Sequence, residues 1–184
     1  MYVLILISKY KYFKRSPEYL KINPNGFLPT LVIDDQPLNE SLAIIEFLDE
    51  KYPDETPLLP KSLLDRTNVR AIALTIASGI QPIQNLGVLN YYSSDGDKKK
   101  EWANHFITKG FEALEVMLQR THGKFCVGDE ITMADICIPP QVYNAKRFDV
   151  DMSRFPIISK INEELEKIEA FKKAHPSSQP DAVN

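Results

Sequence analysis

Cysteine and histidine are scarce in this sequence, and their scarcity limits the chemistry it can carry out. Only two cysteines occur in 184 residues, Cys126 and Cys137, together with three histidines. The spacing of the two cysteines matches neither a metal-binding knuckle nor a redox pair, so we predict no metal site. Two thiols in a chain of this length are typical of reduced proteins, and we predict a cytoplasmic location.

Excess positive charge and long apolar runs are also lacking. With 22 basic and 25 acidic residues the net charge is −3, so no strong basic field exists to attract nucleic acid. The apolar run at residues 2–8 is far shorter than the roughly 20 residues that span a bilayer, and basic residues follow it, unlike in a signal peptide. We predict no nucleic-acid or membrane partner. The run itself predicts a buried strand of a parallel or mixed sheet, with a poorly ordered terminus as the alternative.

Two regions of different character follow from the pattern of apolar residues and breakers. The segment 53–60 holds three prolines in eight positions and predicts a semi-rigid connector. Before it, residues 1–52 predict a small α/β domain, in which Ser16 and Pro17 begin a helix. After it, residues 61–184 predict an all-α domain. The predicted strands are 2–8, 30–33 and a short one at Leu38, and the predicted helices are one from Ser16, 41–51, 64–90 (kinked or split by Pro82), 98–120, 132–146 and 154–174.

Three local motifs carry possible function or structure. Phe27-Leu28-Pro29-Thr30 stands at the start of a predicted strand, where a thioredoxin-like domain has a cis-proline. The run of breakers at Asn23 to Gly26 and the strand that begins at Thr30 lead us to predict a cis bond between Leu28 and Pro29. The residue before such a proline can pair its backbone with an extended peptide.

The second motif is Glu40-Ser41 at the start of a predicted helix. The Ser41 hydroxyl, the first backbone N–H groups and the positive end of the helix dipole can hold a carboxylate. Glu40 could accept a hydrogen bond from an α-ammonium group, so the pair suits an amino-acid head group. The alternative is that Ser41 is a plain N-cap.

The third motif is structural. Thr132 and Asp135 have the spacing of a capping box in its acidic form, ahead of a predicted helix. From the motif alone, the loss of Asp135 should destabilise the helical domain by about 1 kcal/mol or more.

In this order, across an α/β domain, a proline-rich connector and a helical domain, the motifs resemble the glutathione transferase family. Segments 40–45, 78–86, 127–135, 144–148 and 174–181 resemble its zeta (maleylacetoacetate isomerase) class. The resemblance implies an incomplete thioredoxin-like N-terminal domain followed by the family's helical C-terminal domain. It also implies glutathione-dependent cis–trans isomerisation of maleylacetoacetate to fumarylacetoacetate in tyrosine and phenylalanine breakdown, transferase activity on small electrophiles, and a homodimer. The alternatives are a dimerisation module without catalysis and a transferase with another electrophile.

The resemblance also implies roles for particular residues. Arg147 corresponds to an arginine that meets a substrate carboxylate, for which its two-pronged hydrogen bonding is suited; the alternative is a solvated charge at a helix end. For Gln81 the alternative is filling the gap left at Pro82. The glutathione-binding positions implied are Leu28, Pro29, Glu40, Ser41, Gln81, Asn85, Leu86 and Gly87.

One family feature is not found in the sequence. Zeta-class proteins carry a Ser-Ser-Cys turn between a first strand and a first helix, which stabilises the glutathione thiolate. The 184 residues contain no such turn, and their first strand resembles the family's second. We therefore assign no catalytic residue. We expect this chain to turn over maleylacetoacetate at least ~100-fold more slowly than a version that carries the strand, turn and helix.

Overall fold

The computed structural model describes residues 2–5 (backbone), 15–53, 56–180 and 182. The chain divides into two compact units, Met1–Thr56 together with Ala174–Asn184, and Pro57–Lys173. The break at Thr56 falls inside the proline-rich segment 53–60. The tail from Ala174, which the sequence analysis placed with the helical domain, belongs to the first unit.

In the described residues of the first unit, three strands form a sheet, ordered β1-β2-β3, in which both pairings are antiparallel. The predicted first strand is confirmed over Tyr2–Ile5, and residues 6–8 lie outside the described residues. The prediction of a parallel or mixed sheet is wrong, because an apolar run carries no information about the direction of its partner strand. The elements are β1 (Tyr2–Ile5), α1 (Pro17–Ile22), β2 (Thr30–Ile33), β3 (Gln36–Asn39) and α2 (Ser41–Lys51).

A two-residue turn joins β2 to β3. Asp34 and Asp35 both have positive φ, 48° and 61°, and Ile33 pairs with Gln36 across the turn. Two consecutive positive φ values are the mark of a type I′ hairpin, whose twist matches that of its strands. The hairpin register sets Thr30, at the start of β2, opposite Asn39, at the end of β3.

The core of the first unit lies between β2 and α2. Leu31, Ile33 and Ile44 are buried there, with Leu38, Phe47 and Leu48 packed against them. Burying each aliphatic side chain contributes about 1.5–3 kcal/mol. The predicted start of α1 is confirmed: the Ser16 hydroxyl accepts a hydrogen bond from the Tyr19 N–H (3.2 Å), and Pro17 is the first helical residue.

The second unit is helical. The predicted helix 64–90 is split, as expected at Pro82. A π-helical turn follows α3 directly, closed by a hydrogen bond from the Gln81 N–H to the Ile76 carbonyl (2.9 Å), and α4 begins only at Leu86. The helices are α3 (Leu63–Leu74), α4 (Leu86–Tyr92), α5 (Gly96–Thr121), α6 (Met133–Arg147), α7 (Pro156–Glu166) and α8 (Glu169–Ala174).

The prediction of one helix over 154–174 is wrong. Pro156 begins α7, and the helix closes with i→i−3 hydrogen bonds from Lys167 and Ile168 before α8. These tighter hydrogen bonds end α7 without a glycine or proline. The sequence therefore contains no helix breaker that would predict the end of α7.

The core of the second unit is formed by helices packed around α5. Phe111 and Phe155 meet edge to face, with ring centroids 5.4 Å apart. A side chain at Gly110 would collide with Ile80, so the glycine allows the π-helical turn to lie close to α5. No helix in the part of the chain that the structure describes is long and apolar enough to cross a membrane.

The predicted capping box at the start of α6 is confirmed. The Asp135 carboxylate accepts hydrogen bonds from the Thr132 N–H (2.8 Å) and the Thr132 hydroxyl (2.7 Å). It also accepts one from the Cys126 N–H (2.8 Å), a partner that the spacing of the motif does not reveal. Asp135 is fully buried, and these hydrogen bonds stabilise its carboxylate.

Candidate functional site

Two of the predicted site segments meet at one end of the first unit's sheet. Thr30 pairs with Asn39, and the Thr30 hydroxyl donates to the Asn39 side-chain oxygen (2.9 Å). Leu28–Pro29 precedes this pair and Glu40–Ser41 follows it, so the hairpin register places both segments at the same end. The peptide bond between Leu28 and Pro29 is cis, which confirms the prediction.

A buried polar network holds the backbone just before Leu28. The Tyr19 hydroxyl lies 2.5 Å from the Phe27 carbonyl oxygen and 2.8 Å from the Thr30 hydroxyl. Asn23 donates from its side-chain nitrogen to the same two oxygens, at 2.9 and 3.1 Å. Tyr19, Asn23 and Thr30 are all at most 2% exposed. The sequence analysis did not identify this role, because Asn23 lies in the turn-forming run Asn23-Pro24-Asn25-Gly26, where an asparagine ordinarily signals a turn.

The Leu28 backbone is available for a ligand. Within the described ranges, no residue donates to its carbonyl or accepts from its N–H. Its side chain is 39% exposed. The hydrogen bonds to the Phe27 carbonyl hold the preceding residue in place. An unpaired backbone so positioned at the end of a sheet can pair with an extended peptide.

Glu40 and Ser41 are both exposed at the N-terminus of α2, but not in the roles of a plain cap. Glu40 is the N-cap residue, with φ 70°, and no side chain caps the helix. The alternative that Ser41 is the N-cap is therefore wrong, since Ser41 is the first helical residue. The first helical hydrogen bond joins the Ile44 N–H to the Glu40 carbonyl (3.0 Å), which leaves the N–H groups of residues 41–43 without helical acceptors.

Positive φ is uncommon for a residue with a side chain, and such strain costs of the order of 1–3 kcal/mol. At Glu40 it turns the chain out of β3 and into α2 within one residue. The result is an exposed carboxylate beside an exposed hydroxyl and free amide N–H groups, which together suit a group carrying both charges.

In the second unit, four predicted site residues form one turn ahead of and into α4. Gln81, Leu86 and Gly87 are exposed, and the Asn85 side-chain oxygen caps α4 by accepting from the Gly87 N–H (3.0 Å). This hydrogen bond makes Asn85 the N-cap of α4. An asparagine directly before a helix start is a common N-cap, so the sequence could have indicated it.

Arg147 is the last residue of α6 and is exposed. Its guanidinium carbon lies 5.5 Å from the centre of the Phe148 ring. No carboxylate within the described ranges forms an ion pair with it. The guanidinium is thus free to form a bidentate pair with a carboxylate from outside the chain.

A groove of about 780 Å³ runs along α5 and is lined by Trp102, His105, Phe148 and other residues. None of the predicted site residues lines it. All three of its lysine and arginine side chains are already paired, Lys100 with Asp149, and Arg154 and Lys109 both with Glu112 (2.7 and 3.4 Å). We therefore do not assign it to an anionic substrate.

The two thiols are not nucleophiles at neutral pH. Burial raises the pKa of Cys126 well above its usual value, and the nearby Asp135 carboxylate raises it further. Burial and then the same carboxylate raise the pKa of Cys137 to about 11. Neither cysteine therefore has the lowered pKa of an activated thiolate.

Family models and curated relatives both match this chain to glutathione S-transferase proteins. Two family models match, "Glutathione S-transferase, N-terminal domain" over residues 2–51 and "Glutathione S-transferase, C-terminal domain" over residues 83–175. The maleylacetoacetate isomerase of Dictyostelium discoideum is 48% identical over 172 residues, covering 92% of this chain and 78% of the relative.

Solved structures agree with the sequence matches. A bacterial maleyl pyruvate isomerase, described as a zeta-class glutathione S-transferase, superposes with a TM-score of 0.88 at 34% identity, covering 92% of this chain and 82% of that one. The maleylacetoacetate isomerase of Anaeromyxobacter dehalogenans 2CP-1 with bound glutathione has a TM-score of 0.79 at 36% identity, covering 90% and 81%.

Proposed function

We propose a function for this chain from one premise: it belongs to the glutathione S-transferase family and, within that family, to the maleylacetoacetate isomerase (zeta-class) branch. The proposed activity is the glutathione-dependent cis–trans isomerisation of maleylacetoacetate to fumarylacetoacetate, with transferase activity on small electrophiles. The observation that carries glutathione binding is the exposed Glu40–Ser41 pair at the open N-terminus of α2, at the same end of the sheet as Leu28.

Each end of glutathione has a matching group in the first unit. We assign the α-carboxylate of the γ-glutamyl residue to the Ser41 hydroxyl and the first N–H groups of α2, and its α-ammonium to the Glu40 carboxylate. The cysteinyl backbone would pair with the free N–H and carbonyl of Leu28, which Pro29 follows in the cis form. These residues bind and orient; none of them supplies a proton.

One proposed substrate contact lies in the second unit. Arg147 would hold a carboxylate of the dicarboxylate substrate through its unpaired guanidinium. Gln81, Asn85, Leu86 and Gly87, which lie in one turn, remain proposed glutathione-binding positions. When bound, glutathione would supply a thiolate whose addition turns the cis double bond into a single bond that can rotate, and whose elimination then restores the double bond in the trans form. The raised thiol pKa values leave Cys126 and Cys137 out of this chemistry.

The test is a glutathione-dependent isomerisation assay of the purified chain with an Arg147→Ala variant. Removing a charged hydrogen-bonding partner of about 1.5–3 kcal/mol should raise the KM for maleylacetoacetate about 10–100-fold, with a smaller rise for Arg147→Lys. Arg154→Ala is the matched control, because Arg154 is an exposed arginine already paired with Glu112, and its KM should stay at the wild-type value.

The outcomes test the isomerase activity and the role of Arg147 separately. A folded wild-type chain that binds glutathione but shows no turnover would contradict the proposed isomerase activity and favour the dimerisation module. An active wild type whose KM is unchanged by Arg147→Ala would contradict only the role of Arg147.

We also propose that the chain assembles as a homodimer in the cytoplasm. Large apolar side chains are exposed on the first turn of α3, Leu63 at 81% and Leu64 at 70%. Neighbouring exposed leucines are unfavourable in water and favour a protein partner. Sedimentation equilibrium at micromolar concentration should give about twice the mass of one chain, and a monomer for the wild type would contradict the proposal.

A further inference from the structure

We propose that Gln84 and Gln141 are positioning residues, which fix the exposed turn of residues 81–87 against α6 and so set its place relative to Arg147. This inference rests on the proposed function, because the turn is assigned to glutathione and Arg147 to the substrate. Neither glutamine has a charge or an exposed surface, so neither would contact substrate directly.

The two side chains form a buried bond between distant parts of the second unit. The Gln84 Nε2 donates to the Gln141 Oε1 at 2.9 Å, across 57 positions of sequence. Gln84 is 4% exposed and Gln141 is 2% exposed. Gln141 lies in α6, six residues before Arg147, which is a rise of about 9 Å along the helix. The bond therefore joins the turn to the helix that carries Arg147.

The pair is not explained by stability alone. The Gln84 Oε1 and the Gln141 Nε2 have no hydrogen-bond partner in the part of the chain that the structure describes. Turning both amides over exchanges the roles but still leaves one donor and one acceptor over. Replacing both partners of a buried hydrogen bond by apolar groups of similar shape can be nearly neutral, so stability alone does not require a polar pair here. A hydrogen bond between two side-chain amides is directional, whereas an apolar contact is not. The polar pair therefore fixes the position of the turn on α6.

A second side chain holds the same turn from α5. The Trp102 indole N–H donates to the carbonyl of Ile83, the residue before Gln84, at 3.2 Å. Trp102 of α5 and Gln141 of α6 thus form hydrogen bonds to the turn, while Gln81, Leu86 and Gly87 are exposed. Trp102 is the one tryptophan of the sequence, so its fluorescence reports on the position of this turn.

The experiment compares Gln141→Leu, Gln84→Leu and the double variant with the wild type. In each variant we expect acrylamide quenching of Trp102 to increase roughly twofold, as the turn moves away from its place. We also expect kcat/KM for maleylacetoacetate to fall about 10-fold, mainly through KM, because small displacements of binding groups have large effects. The double variant should recover the thermal stability lost by the single ones, but not their KM.

Val142→Ala is the matched control. Val142 is a buried neighbour of Gln141 on α6, so its truncation destabilises the core without touching the amide pair, and it should leave quenching and KM at wild-type values. Folded Gln141→Leu with wild-type quenching would overturn the inference, as would a double variant that regains wild-type quenching and KM together with stability. The quenching comparison does not depend on turnover, so a wild-type chain without isomerase activity would refute the proposed function while the positioning role was still decided.

Discussion

Asp135→Ala should lower the free energy of unfolding of the helical unit by about 3 kcal/mol or more, well above the ~1 kcal/mol expected from the cap alone. The carboxylate accepts three hydrogen bonds, from the Thr132 N–H, the Thr132 hydroxyl and the Cys126 N–H. Alanine would leave these buried donors without an acceptor, and each unsatisfied group costs roughly 1–3 kcal/mol. Urea unfolding followed by circular dichroism would measure the difference.

Two further variants sharpen this prediction. Asp135→Asn keeps the shape and one acceptor oxygen, so it should lie between wild type and Asp135→Ala. Glu130→Ala removes an exposed carboxylate five residues away and should change stability by no more than ~0.5 kcal/mol. A urea midpoint for Asp135→Ala equal to that of Glu130→Ala would show that the three bonds do not contribute as the structure indicates.

Glu40→Gln combined with Ser41→Ala should weaken glutathione binding by about 100-fold. Loss of the charge that pairs with the α-ammonium accounts for the larger share, about 1.5–3 kcal/mol, and loss of the hydroxyl for about 0.5–1.5 kcal/mol. Glutamine has the shape of glutamate, so the positive φ at Glu40 is equally strained in the variant and the backbone should not change.

Calorimetric titration with S-methylglutathione measures this effect cleanly, because the ligand has no thiol to ionise. Glu50→Gln is the control, an exposed glutamate near the other end of α2, and should bind as the wild type does. Equal affinity of the double variant and the wild type would remove the γ-glutamyl assignment.

Wherever a signal is local, the sequence predicted the structure well. The start of α1 at Ser16-Pro17, the capping box of Thr132 and Asp135 and the break at Pro82 each depend on residues within about one helical turn of one another. The family resemblance, which rests on the order of such local motifs, was confirmed by the comparisons.

Contacts between residues distant in sequence could not be predicted in the same way. The N-terminus of α7 has no cap from its own chain segment; instead the Glu115 carboxylate of α5 accepts from the N–H groups of Ile157 (2.7 Å) and Ile158 (3.1 Å). Such a cap depends on how two helices pack, and no spacing rule links residues 42 positions apart.

By itself, then, the sequence determined the family and those starts and breaks of elements that a capping residue or a proline marks. Only the tertiary structure decided the antiparallel pairing of β1, the placing of Glu40 as a strained N-cap, the network beneath Phe27 and the bond between Gln84 and Gln141. The physical reason is that hydrogen bonds within one turn follow from neighbouring residue types. The partner of a buried polar group is instead chosen by packing across the whole unit.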